Sequence, residues 1–342
     1  MKLGLTIGGG GKLVDIDLIL EAERLGFDSC WTGEAYGSDA VTPAAWVLAR
    51  TTRIKAGTGI MQMPARTPTC VAMTAMTLQA LSDNRFLCGI GPSGPQVIEG
   101  WHGVAFGKPL ARTREYISII RAIIAREAPL EHHGEHYRIP YDGADASGLG
   151  KPLKSILHGK PGMKFYTASI MPAGLRLAGE IADGNIPIFM SPEAAETVVK
   201  PTLEGMAKAG NTKTLADFDI APHVKVKVGD LDACRDAVRP ELALYIGGMG
   251  ARGKNFYTDY ACRLGFEAEA KQIQDLYLDG KKKEAAAVVP IKLIDQIALL
   301  GSADRIKGRL ADWKALAKEN KVGTMVLTGA TMEAIRIVAE GM

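Results

Sequence analysis

Short apolar runs alternate with helical patterns along most of the 342-residue chain, and that alternation sets the expected architecture. Lys2 to Ile7 reads as a strand. Asp15 to Leu25 reads as a helix with Leu18, Ile19, Ala22 and Leu25 on one face, and Gly26 stops it. Ser29 to Thr32 is a second strand, after which Thr42-Pro43 supply a cap and first turn for a helix through Ala49. A third strand over Ile54 to Met61 precedes Thr67-Pro68, which open a helix to Leu81, and Arg85 to Ile90 is the fourth strand. An amphipathic helix is predicted over Arg112 to Arg126, where Tyr116, Ile120, Ile123 and Ile124 form one stripe.

Glu127 to Gly162, rich in Gly, Pro and His, breaks this rhythm and reads as an excursion. Alternation then resumes with strands at Lys164 to Ala168, Asn185 to Phe189 and Phe218 to Val228, and helices at Pro172 to Ile181, Pro192 to Ala209 and from Leu231 to Val238. Pro240 to Pro290 has helical stretches and no strand pattern, as expected of an inserted helical segment. A helix from Asp304 to Lys318, a strand from Thr324 to Leu327 and a helix from Met332 to Ala339 close the chain. Eight strand candidates alternating with helices predict a (β/α)8 TIM barrel with insertions, one domain over residues 1–342. A doubly wound open sheet is the rival, disfavoured because no composition shift marks a linker between halves.

Composition narrows the function. At 47% hydrophobic and 23% charged residues the chain is neither disordered nor fibrous. Its net charge of +3 comes from cations scattered apart from Lys281, Lys282 and Lys283, so no basic face for nucleic acid is expected. No uncharged apolar run approaches the roughly 20 residues that span a bilayer, and no signal-peptide core follows Met1, so a cytoplasmic protein is expected. Five widely spaced cysteines suit reduced thiols better than a disulfide frame. No CxxC or HExxH spacing occurs, and His132, His133 and His136 read as a solvated loop, so no metal site is expected.

In either architecture ligands meet the carboxyl ends of the strands. After the first strand comes Gly8-Gly9-Gly10-Gly11, which permits close backbone approach to a ligand or is a plain turn. After the second come Glu34, Tyr36 and Asp39; Glu34 can accept a hydrogen bond from a cofactor, act as a base, or be an exposed loop residue. Gly59-Ile60-Met61-Gln62 follows the third, where a strand glycine marks close approach. The fourth is followed by Gly89-Ile90-Gly91-Pro92-Ser93-Gly94, a GxGxxG match. It reads as a barrel loop rather than a dinucleotide fingerprint, because Pro92 lacks an amide donor and no clean amphipathic helix begins at Pro95-Gln96. Trp101 and His102 follow, His102 being a possible proton donor or a structural residue. His223 either points into the barrel or packs. No GxSxG elbow supports a hydrolase.

The stretches AERLGFDSCWTGEAYGSDAVTP (22–43), IKAGTGIMQMPARTPTCVAMTAMTLQALSDNRFLCGIGPSGPQVIEGWHG (54–103), KPLARTREYISIIRAI (108–123), LAGEIADGNIPIF (177–189) and ALYIGGMG (243–250) resemble the luciferase-like flavin and coenzyme F420-dependent oxidoreductases. The resemblance is closest to their mycobacterial-type F420-dependent members. It implies a (β/α)8 barrel with insertions, and a Glu34 that approaches the cofactor ring. It implies a non-prolyl cis peptide at Gly59-Ile60, forming a bulge behind the ring, with Gln62 beside it. Gly91, Ser93 and Gly94 match the loop after the fourth strand, and Ser169, Ile170 and Ile188 match contacts to the cofactor's ribityl and phosphate part. Ala35 stands where several relatives have a catalytic His, so their proton-transfer scheme does not carry over; Tyr36, Trp101 and His102 are the candidate donors. The segment ending at Met171-Pro172 also lacks a glycine that relatives place there, and the loop after strand four lacks the acidic residue of the dehydrogenase branch.

The expected function is hydride transfer between coenzyme F420 and an organic, hydrophobic small-molecule substrate. FMN-dependent monooxygenation with a separate reductase is the alternative, and a non-catalytic flavin-binding barrel the third reading. The resemblance also implies a homodimer through helices of the second and third units.

Overall fold

The computed structural model of the protein describes residues 1–8, 12–160, 162–210 and 213–342. Eight parallel strands form its centre: β1 (Lys2–Thr6), β2 (Ser29–Thr32), β3 (Lys55–Thr58), β4 (Phe86–Gly91), β5 (Phe165–Thr167), β6 (Gly184–Asn185), β7 (His223–Val228) and β8 (Thr324–Thr328). Each pairs with the next from β1 to β6. Asp219–Ile220 then pairs with β6, Ala221-Pro222 bend the chain into β7, and His223 bridges Ile188. β7 pairs with β8, and β8 with β1 from Lys2↔Thr324 to Leu5↔Leu327. The ring is closed, and the open sheet is excluded. A short strand, Ala298–Gly301, flanks β7, where the sequence reading had none.

Helices fall where the apolar stripes place them, with local shifts that have local causes. Asp15 lies outside the first helix and caps it, accepting from the Leu18 N–H at 3.3 Å. Thr67 does the same for Pro68–Leu81 through the Cys70 N–H at 3.2 Å. The helix expected to start at Thr42 instead runs Val41–Arg50 from an Ala40 N-cap, and Asp39, one residue earlier, accepts from the N–H groups of Val41 and Thr42 at 2.8 and 2.7 Å. The GxGxxG loop leads into a short helix, Pro95–Gly100, of six residues with Ile98 alone buried, and so not the amphipathic helix of a dinucleotide fold.

Two apolar layers hold the barrel. Outward side chains such as Leu5, Cys30, Ala56, Phe86 and Val224 pack on the helices, while Trp31, Leu87, Tyr166, Ile186, Ala221 and Val326 fill the interior. Trp31 donates to the Ser29 hydroxyl at 3.0 Å and meets Tyr166 edge-on, centroids 4.9 Å apart. Gly57 makes room for it: a Cβ there would lie 2.6 Å from the Trp31 ring. The helical insertion is wider than the sequence suggested. It runs from Leu231–Ala243 through a π-helical turn, Leu244–Gly248, then Phe256–Arg263, Glu267–Leu278, Lys282–Ala287 and Ile291–Ile297, around its own apolar cluster. The excursion holds a small hairpin, His132–His133 with Arg138–Ile139, tied to the barrel by Glu115, which accepts from the backbone of Glu135, His136 and Tyr137 and faces the His132 ring at 3.2 Å. Among the described residues no helix is long and apolar enough to cross a membrane, and no group of His, Cys, Asp or Glu could hold a metal ion.

Candidate functional site

The carboxyl ends of β2, β3 and β4 converge on a bulge. Between the pairs Gly57↔Leu87 and Met61↔Ile90, the β3 side spends one residue more than β4, so the chain must bow out of the ladder. The peptide Gly59-Ile60 at the bow is cis. Thr58 replaces the interrupted pairing: its buried hydroxyl donates to the Gly89 carbonyl at 2.7 Å and accepts from the Gly89 N–H at 3.0 Å. Gly89 is required by that approach, because a Cβ there would sit 1.8 Å from the Thr58 carbonyl oxygen. Ile60 packs on the interior cluster of Trp31 and Ile186, giving the mouth an apolar floor.

Above the bulge lies a hydrogen-bonded network. Arg66, leaving the turn Met63–Ala65, clamps Glu34 with two guanidinium N–H groups at 2.6 and 2.7 Å. Glu34 also accepts from the backbone N–H of Gln62 at 2.8 Å and of Ala40 at 3.3 Å, so its carboxylate is fully engaged. The Arg66 guanidinium is held above its ordinary pKa by that hydrogen bond to Glu34, against the effect of burial. Fully buried Gln62 donates its amide to the Glu34 carbonyl at 3.2 Å and to Ser93 Oγ at 3.0 Å. Its Oε1 therefore faces His102 Nε2 at 2.6 Å, which assigns the Nε2 proton to the histidine. Ser93 presents this hydroxyl from a left-handed backbone, φ +59°.

Four predicted residues, Glu34, Gln62, Ser93 and His102, thus form one unit, with Gly59, Ile60 and Gly91 beneath it. A Cβ on Gly91 would meet the Ile60 side chain at 3.1 Å, and Gly94 ends the loop as the residue before the Pro95–Gly100 helix. Tyr36 and Trp101 stand on the rim, 69% and 66% exposed, with no contact to the network among those described. Gly9, Gly10 and Gly11 of the first loop lie outside the described residues.

Across the mouth, the Ser169 carbonyl accepts from buried Asn185 Nδ2 at 2.9 Å, and Ser169 Oγ sits where a Cβ on Gly174 would be 2.6 Å away, at the start of helix Pro172–Ile181. Ile170 is buried beside it, and Ile188 bridges His223. Val224 and Val226 pack outward, so His223, alternating with them, shares the interior face with its pair partner Val326. Its Nε2 is buried without a hydrogen-bond partner among the described residues, and burial pushes the ring down to about 4, so it is neutral near pH 7. Arg66, Thr58 and Asn185 had no sequence signal: each acts on a partner 16 to 32 residues away.

Comparison with known proteins places this geometry. The family profile described as luciferase-like monooxygenase matches residues 15–319. A Mycobacterium tuberculosis protein provisionally named a coenzyme F420-dependent oxidoreductase is 42% identical over 344 aligned positions, covering 99% of this chain and 98% of its own. The 5,10-methylenetetrahydromethanopterin reductase of Archaeoglobus fulgidus is 29% identical over 72% of this chain and 71% of its own. Among solved structures, the coenzyme F420-dependent tetrahydromethanopterin reductase from Methanopyrus kandleri has a TM-score of 0.79 at 22% identity, covering 100% of this chain and 98% of that one. With a profile spanning most of its length and a full-length relative at this identity, the chain belongs to the luciferase-like monooxygenase family.

Proposed function

We propose that the protein is a coenzyme F420-dependent oxidoreductase acting on a small organic molecule. The observation that carries this reading is the 42% identity, over 99% of the chain, to the mycobacterial protein that bears that name. The site is consistent with a flat tricyclic ring: an apolar floor of Ile60, Ile186 and Trp31, with polar groups confined to the edges at Gln62, Ser93 and His223. When bound, the deazaflavin supplies the hydride chemistry, and the protein supplies orientation and protons.

Each predicted residue then has a task. Gly59 and Ile60 back the ring, and Gly91, Ser93 and Gly94 let the β4 loop run close to it. Ser169, Ile170 and Ile188 line the side toward helix Pro172–Ile181, whose free N–H groups begin at Ala173 because Pro172 has none, carry no side-chain cap among the described residues, and suit a phosphate. Glu34 is the organiser of the network, not its base, because four donors already hold its carboxylate. His102 is the proton donor, its ring oriented by the Nε2–H that Gln62 accepts. Tyr36 and Trp101 shape the entrance.

The monooxygenase alternative is favoured by the family description, luciferase-like monooxygenase. A homodimer through the second and third helical units is supported by exposed apolar side chains there, Trp46 at 53% and Met73 at 64%. Five free cysteines support a cytoplasmic location. The test is anaerobic incubation of the protein with reduced F420 and a panel of carbonyl and alkene acceptors, following reoxidation by absorbance. Acceptor-dependent reoxidation supports the reading; oxygen consumption with reduced FMN, and none of that reoxidation, refutes it.

A further inference from the structure

Three aromatic rings stand where the helical insertion meets the barrel mouth. Phe189 follows Ile188 off the end of the β6 segment, Tyr245 lies in the π-helical turn Leu244–Gly248, and Tyr257 in the first turn of Phe256–Arg263. They pack edge to face, with centroids 5.4 Å apart for Phe189 and Tyr245, 4.9 Å for the two tyrosines and 6.2 Å for Phe189 and Tyr257. Arg263 pins the helix over the mouth by donating to the carbonyls of Ile170 and Thr197, each at 3.1 Å.

Three features mark this cluster as more than packing. Phe189 has a φ of +57°, rare for a bulky side chain and typical of functional positions. A single π turn continuing an α-helix likewise recurs at functional sites. The tyrosines belong to none of the apolar clusters, both are half-buried, and neither phenol has a protein hydrogen-bond partner among the described residues. Burial, then Glu241 and Tyr36, raise the Tyr245 phenol. Burial, then Tyr245, push the Tyr257 phenol up to about 12. Both hydroxyls are therefore donors near neutral pH.

We propose that Phe189, Tyr245 and Tyr257 form the substrate wall of the site and select a neutral, ring-bearing carbonyl compound. The ring packs against the aromatic edges, and the carbonyl oxygen accepts from a tyrosine hydroxyl. A carboxylate is disfavoured because it would shed its water against rings and neutral hydroxyls. The inference rests on the oxidoreductase reading for the compound's role as acceptor, but its binding can be measured apart from the cofactor.

The experiment is saturation-transfer NMR on the protein with and without F420, using 1-indanone, indane, 2-nonanone and indane-1-carboxylate as probes. The expected result is 1-indanone binding about tenfold more tightly than 2-nonanone or the carboxylate. Tyr245→Phe or Tyr257→Phe should weaken 1-indanone about fivefold and leave indane unchanged. Equal binding of ring, chain and carboxylate, or two Tyr→Phe variants that bind 1-indanone like wild type, overturns the inference. Failure of wild type to bind F420 while 1-indanone still binds selectively overturns the cofactor reading and upholds the wall.

Discussion

Replacing Glu34 with Gln separates an organising carboxylate from a catalytic one. Four donors converge on it: two from Arg66 at 2.6 and 2.7 Å, the Gln62 N–H at 2.8 Å and the Ala40 N–H at 3.3 Å. Gln keeps one acceptor oxygen and turns an amide NH2 toward at least one of those donors. Hydrogen bonds to a charged group contribute about 1.5–3 kcal/mol each, and removing one partner of a buried ion pair costs about 3–5 kcal/mol. Glu34's side chain is 8% exposed and Arg66's 18%, so water relieves part of the stranded charge, and a loss of about 3 kcal/mol is expected. Urea unfolding of E34Q, R66M and the double variant measures it, with a coupling energy of about 2 kcal/mol expected between the two sites. F420 affinity should fall with stability at every pH, because the bulge loses the Gln62 anchor. A stability within about 0.5 kcal/mol of wild type would refute the organising role. So would a kcat loss confined to one limb of the pH profile, which would make Glu34 a base.

Other consequences of the geometry are open to measurement. Thr58→Val should cost about 3 kcal/mol in urea unfolding, because both backbone groups of Gly89 lose their partner in a buried place. Gly89→Ala should abolish F420 binding, measured by fluorescence titration, since its Cβ would overlap the Thr58 carbonyl at 1.8 Å; wild-type affinity would show that the two strands need not approach so closely. His223, pushed down to about 4, takes up its proton in the unfolded state first. Stability should therefore decline by about 3 kcal/mol as pH falls from about 6.5 toward 4, and His223→Gln should flatten that slope in unfolding curves taken across the range.

How legible was this in the sequence? The barrel was, because eight apolar runs buried on both faces recur with helices between them, and Ser29–Thr32 was bounded correctly by its flanking Asp28 and Gly33. Strand ends were less so: Ile54 to Met61 looked continuous, although the ladder breaks at the bulge, because apolar periodicity does not register an extra residue. The Ala298–Gly301 strand escaped notice because four apolar residues directly after a helix read as its continuation. The cis peptide at Gly59-Ile60 was expected from resemblance, not from any local pattern. The Glu34–Arg66 clamp and the Gln62–His102 contact join residues 32 and 40 positions apart, and the aromatic trio gathers rings from β6 and the insertion. Pairings of that range are made by the closed ring, so only the fold discloses them.

The most direct measurement is calorimetric titration of the purified, cofactor-free protein with F420 and, separately, with FMN. If the bulge and its network hold F420, it binds at micromolar concentration or tighter, with FMN far weaker. FMN binding more tightly than F420, or neither binding, would contradict it.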